Sequence, residues 1–153
     1  MAIYSLPISK FMTKKVITSK VNSTIKSVCK SMYDNNVGCL VILKQTNNGS
    51  TPAGIITERD LVKLVGSMEL FYPHVSVREY MSYPLISGTS TMTLSKAMDI
   101  MSKKNIRRLP VIDTVGGHDK LVGIITEKDI INAIAKPRRS HAKRKSSSQR
   151  DQV

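Results

Sequence analysis

Residues 54–60 read GIITERD and residues 123–129 read GIITEKD, so six of seven positions are identical at an offset of 69. The seventh exchanges Arg59 for Lys128 and keeps the charge. Sliding the chain by that offset aligns residues 11–65 with 80–134 without a gap. Phe11 then meets Tyr80, Met12 meets Met81, Ile17 meets Ile86 and Thr24 meets Thr93. Further along, Met32 meets Met101, Asn36 meets Asn105 and Leu40 meets Leu109. A constant offset of this kind is the mark of an internal duplication, and it decides how every other segment is read.

Each copy carries the same punctuation. Thr24–Asn35 and Thr93–Lys104 place apolar residues at helical spacing: Ile25, Val28, Cys29 and Met32 in one, Leu94, Ala97, Met98 and Met101 in the other. Gly38–Lys44 and Arg107–Asp113 are rich in Val, Ile and Leu and read as strands. Asn47-Asn48-Gly49 and Gly116-Gly117 supply the positive φ of a hairpin turn. A second strand follows at Pro52–Thr57 and Lys120–Thr126, and a helix closes each unit at Glu58–Val65 and Glu127–Ala135. A very short first strand is expected at Val16–Thr18 and at Leu85–Ser87, with Gly66–Tyr80 as the connector.

The expected fold class is therefore α/β (α+β), with two β-α-β-β-α units packed sheet to sheet in pseudo-two-fold symmetry. One unit of about 55 residues is marginal alone, and its uncovered sheet face is apolar. Residues 1–66 are expected to form the first repeat, 67–135 the connector and second repeat, and 136–153 a basic tail. Symmetry creates two equivalent clefts between the sheets, where ligands usually bind.

Composition narrows the function classes. The chain of 153 residues carries a net charge of +13. Residues 136–153 hold seven Lys/Arg against one acid and lack a large apolar residue before Val153, so disorder is expected there. Cys29 and Cys39 form neither a disulfide framework nor a zinc knuckle and fit a reducing cytoplasm as small buried side chains. The apolar run around Gly38–Leu43 is too short to span a bilayer, and MAIYSLPISKF lacks the pattern of a secretory signal. A cytoplasmic protein without a membrane partner is expected. His74, His118 and His141 fall in the connector, a turn and the tail, with no acid at a useful spacing. Without a Walker loop, a zinc motif or a nucleophile elbow, neither enzymatic activity nor a metal is expected.

Thr57 with Asp60, and Thr126 with Asp129, end a strand and open a helix. Two roles fit that spacing. The free N–H groups of a helix start attract anions, and an acid there could accept both hydroxyls of a ribose. Equally, Thr-x-x-acid is a capping box that closes on itself.

Asn105–Ile112, NIRRLPVI, followed by a turn and Gly123–Asp129, resembles the CBS domain. The first copy is looser, with Gly38 and Val41 where the second has Arg107 and Pro110. The resemblance covers about residues 8–135 and implies a tandem pair, a Bateman module, with a regulatory role. It implies adenosine-containing ligands: AMP, ADP, ATP or S-adenosylmethionine. It also implies a homodimer, for which the apolar first halves of the helices and Leu70, Phe71 and Tyr72 of the connector offer surface.

In the family the acid motif of one repeat faces the first and middle strands of the other. Cleft B would then take Ile55, Thr57, Arg59 and Asp60 with Leu85, Ile86, Ile106, Arg107 and Arg108. Cleft A would take Ile124, Thr126, Lys128 and Asp129 with Val16, Ile17, Val37 and Gly38. Val16–Ile17 and Leu85–Ile86 would wall the adenine. Guanidinium forks grip phosphate bidentately. Cleft A has Gly38 and Cys39 in the arginines' place, leaving Lys128 with Lys14 or Lys15, so cleft B is expected to be the better nucleotide site.

The tail supports a second reading, nucleic-acid binding through Lys136, Arg138, Arg139, Lys143, Arg144 and Lys145. It carries no aromatic residue for stacking on unpaired bases. If this reading holds, a gel shift will require the tail: residues 1–135 will fail to bind where the full chain binds. Neutralising about four to six phosphates gives a log–log salt slope near −4 to −5, since each contributes about −0.9. Absence of binding by either form removes the reading.

Overall fold

The computed structural model describes residues 2–70 and 72–136. The first repeat runs β1 (Thr18–Lys20), α1 (Ile25–Asn35), β2 (Cys39–Thr46), β3 (Gly49–Thr57) and α2 (Glu58–Ser67). The second runs α3 (Leu94–Lys104), β4 (Arg108–Val115), β5 (His118–Thr126) and α4 (residues 127–136). The ends of these elements follow residue chemistry. Thr24 and Thr93 cap α1 and α3, their hydroxyls accepting from the amides of Ser27 and Lys96 at 3.1 and 3.2 Å. Asn36 and Asn105 stop the same two helices in the left-handed region, each at φ 51°. Asparagine tolerates that region better than most side chains do.

β1 pairs parallel to β2 and β2 pairs antiparallel to β3, giving a three-stranded sheet. The second sheet has only β4 and β5, and the strand expected at Leu85–Ser87 shrinks to one bridge between Gly88 and Val111. Proline accounts for the difference. In the first sheet the Val41 amide donates to the Ile17 carbonyl at 3.3 Å. Its twin is Pro110, which has no N–H to give. The two sheets close on each other through β3 and β5.

Each core takes one fully buried residue from the leading segment of the other half. Val77 packs with Ile25, Val28, Leu40 and Ile56 of the first core, and Ile8 packs with Leu94, Ala97, Leu109 and Ile125 of the second. Both borrowed residues are 0% exposed, and full burial of such a side chain stabilises by about 1.5–3 kcal/mol. Backbone bonds fix the exchange. The Ile8 amide donates to the Met92 carbonyl at 2.8 Å, and the Val77 amide donates to the Ser23 carbonyl at 2.8 Å. The packing units therefore cross the boundary expected near residue 66, because residues 8 and 77 lead into one repeat while lying on the core of the other.

The same lead-in segments continue over the sheets. Thr13 exchanges two backbone bonds with Ile124, both 2.9 Å, and Ser82 does so with Ile55 at 2.8 and 3.1 Å. Each hairpin has a bulge beside this crossing, between Ile42 and Leu43 and between Val111 and Ile112. Gly54 and Gly123, the first letters of the repeated phrase, lie directly beneath it. A Cβ on Gly54 would stand 2.8 Å from the Ser82 carbonyl oxygen, and one on Gly123 would stand 2.9 Å from that of Thr13. The glycines are there so that the twin's backbone can pass. Alanine at either position is expected to lower stability by about 1–3 kcal/mol, the usual cost of overpacking, read as a lower urea midpoint at unchanged slope. Alanine at Gly66, where an added carbon meets nothing within 4 Å, is expected to leave the midpoint in place or raise it.

Candidate ligand cleft between the repeats

Thr126 ends β5 and caps α4. Its hydroxyl accepts from the Asp129 amide at 3.2 Å, while Asp129 Oδ2 accepts from the Thr126 amide and hydroxyl, both at 3.0 Å. Thr57 and Asp60 repeat the arrangement at 3.3, 2.9 and 3.1 Å. The capping role, one of the two left open by the spacing, is thus present in both repeats. It engages one carboxylate oxygen. A carboxylate has two oxygens and about four lone-pair positions, so the cap leaves room for a ligand on the other. Asp129 Oδ1 accepts only a long bond from the Thr13 hydroxyl, 3.4 Å. That contact brings the acid of the second repeat to the segment leading into β1 of the first.

A cleft of about 530 Å³ opens at this meeting point. It gathers all eight residues assigned to cleft A: Ile124, Thr126, Lys128 and Asp129 from one repeat, Val16, Ile17, Val37 and Gly38 from the other. Thr13, Lys15, Cys39 and Glu127 also line it. So do Arg107 and Arg108, which the family pattern assigned to cleft B. Their place in cleft A has a physical cause. Arg107 is the twin of Gly38, and Arg108 is the twin of Cys39. A Cβ on Gly38 would collide with the Arg108 guanidinium and stand 2.5 Å from Glu58 Oε1. The side chain missing from the first repeat is the space into which the second repeat's arginine reaches. Carry-over by position overlooked that reach; the Gly–Arg inequality was the signal that could have shown it.

The other cleft B residues are placed along the equivalent crossing of the other repeat. Ile55, Thr57, Arg59 and Asp60 belong to or follow β3, and the Ser82–Ile55 bridge lays the segment holding Leu85 and Ile86 beside that strand. Ile106 packs on the second core. Of the tail residues, Lys136 ends α4, while Arg138, Arg139, Lys143, Arg144 and Lys145 lie outside the described residues.

The cleft is positive. Lys15, Arg107, Arg108 and Lys128 face Glu127 and Asp129 within it. Arg107 Nε stands 3.9 Å from Glu127 Oε2 with both side chains largely exposed, a pair worth little and easily redirected. Burial pushes the Cys39 thiol up; Arg108 draws it partly back and Glu58 adds to the rise. Cys39 is therefore a protonated apolar wall at neutral pH, since the thiolate is the reactive form. Among the described residues no group of three or more His, Cys, Asp or Glu could hold a metal. Nor, among them, is any helix long and apolar enough to cross a membrane.

A family model of the CBS domain matches residues 8–67 and 77–136. The chain belongs to the CBS-domain family. An uncharacterised protein of Methanopyrus kandleri is 36% identical over 127 residues, covering 83% of this chain and 62% of that one. The chain thus spans less than two thirds of that relative's length. The CBS domain-containing protein YhcV of Bacillus subtilis is 33% identical over 119 residues, covering 78% of this chain and 79% of that one. The crystal structure of the CBS domain pair of protein MJ0100, in complex with 5′-methylthioadenosine and S-adenosyl-L-methionine, matches with a TM-score of 0.72 at 25% identity. That match covers 86% of this chain and 97% of the other. In both CBS repeats the Thr caps are expected to carry stability. Thr57→Val and Thr126→Val should each cost about 0.5–2 kcal/mol, as loss of a helix cap does, measured by urea unfolding.

Proposed function

We propose that this CBS pair is a regulatory module that senses adenosine nucleotides, AMP, ADP or ATP, in cleft A. The observation that carries the reading is the meeting of three chemistries in one cleft. Val16, Ile17, Val37 and Ile124 form an apolar wall suited to a flat base. Asp129 keeps Oδ1 for hydroxyl donors such as those of a ribose. The start of α4, with Arg107, Arg108, Lys15 and Lys128, supplies amide donors and cations for phosphate. The adenosine derivatives bound to the MJ0100 pair support the nucleoside part. The positive charge of this cleft favours phosphorylated adenosines over S-adenosylmethionine, whose sulfonium is itself a cation. Because both arginines line cleft A, cleft A replaces cleft B as the better nucleotide site.

A homodimer suits the outer surface. Val62 on α2 and its twin Ile131 on α4 are 72% and 64% exposed, and Leu70 and Tyr72 are exposed as well. Such residues on both outer helices give a second copy something to cover. Occupancy can be passed to a partner only if the nucleotide binds two arrangements of the module unequally.

Calorimetric titration with AMP and ATP tests the reading. Asp129→Asn keeps an oxygen for the cap, and Arg108→Ala leaves the cap untouched. Each is expected to weaken binding at least tenfold, which is about 1.4 kcal/mol, whereas Asp60→Asn changes it little. Unaltered isotherms in both cleft A variants would overturn the assignment.

A further inference from the structure

The segment from Thr13 to Thr18 is a wall with two sides. Thr13, Lys15 and Ile17 line cleft A, while Lys14 and Thr18 line a different cavity, and Val16 borders both. Extended backbone alternates its side chains in this way. The second cavity, about 510 Å³, lies between the hairpin ends of the two repeats. Val16, Leu43, Pro52, Val115 and Leu121 supply its apolar surface, and Lys14, His118 and Lys120 line it as well.

The duplication provides an internal control. Four of the apolar residues recur in the twin positions, Leu85 for Val16, Ile112 for Leu43, and Pro52 and Leu121 for each other, while Val115 has Thr46 as its twin. The nitrogen-bearing residues do not recur. Lys14, His118 and Lys120 have Tyr83, Gly49 and Thr51 as twins. Both repeats thus keep four apolar positions here, and the fold requires neither the lysines nor the imidazole. The one acid lining the cavity, Asp119, accepts from the Thr114 hydroxyl at 2.9 Å and sets a single negative charge against the two ammonium groups. Among the described residues, the ion pairs found involve neither Lys14, Lys120 nor His118.

We propose that this cavity is a second binding site, for a small organic phosphate with an apolar body, separate from the nucleotide cleft and independent of that reading. The two ammonium groups act as point charges for the phosphate, and the apolar surface takes the rest of the molecule. The shared wall links the sites. A ligand pressing on Val16 from this side bears on the segment whose Thr13 holds Asp129 and Ile124, and any resulting coupling is reciprocal.

Inorganic pyrophosphate is the probe, titrated into the 15N-labelled full chain. Amide shifts are expected at Lys14, Val115, His118 and Lys120. Both lysines are exposed, so Lys14→Gln with Lys120→Thr, the latter copying twin Thr51, is expected to keep the thermal midpoint while weakening pyrophosphate at least tenfold. Shifts confined to Arg107, Arg108 and Lys128, or to the residues after Lys136, overturn the proposal. So does a double variant that binds pyrophosphate as the parent does.

Discussion

Everything in this module depends on two backbones passing at van der Waals distance over two glycines. Gly54 and Gly123 have no Cβ, so Ser82 and Thr13 can hydrogen-bond across them. That crossing delivers Ile8 and Val77 to the opposite cores. It also lays Val16 and Ile17 against the start of α4 and so makes the wall of a cleft. Fold and site share one steric condition, met twice because the chain is duplicated.

Duplication need not give equal clefts. The Thr–Asp pairs are alike in geometry, and each spends one carboxylate oxygen on its own helix. Inequality enters where the repeats touch. Gly38 offers a vacancy and Arg108 fills it, beside Glu58 and Cys39. A carboxylate can serve as cap and acceptor together because its two oxygens face different ways. An arginine that fills the space beside Gly38 can serve one side only. Structural and binding roles coexist in the first case and compete in the second.

Much of this was legible in the sequence. The offset of 69 predicted paired helices, hairpins and a face-to-face closure, and the eight residues drawn from the motif for cleft A line one cleft. What escaped has physical reasons. Pro110 was visible, but its lost N–H matters only once β4 is known to need a parallel neighbour, and so the third strand of the second sheet was expected where one bridge stands. The exchange of Ile8 and Val77 left no trace in periodicity, since a buried isoleucine reads alike in either core. The direction of Arg108 depended on an absent side chain across the axis, which no pattern within one repeat records.

The exchange of core residues has a mechanical consequence. Neither half is a complete folding unit, because each would keep a hole where the other's Ile8 or Val77 belongs. The exchange couples the stability of one repeat to that of the other and favours their melting together. Tightening at any one seam then stiffens the module as a whole.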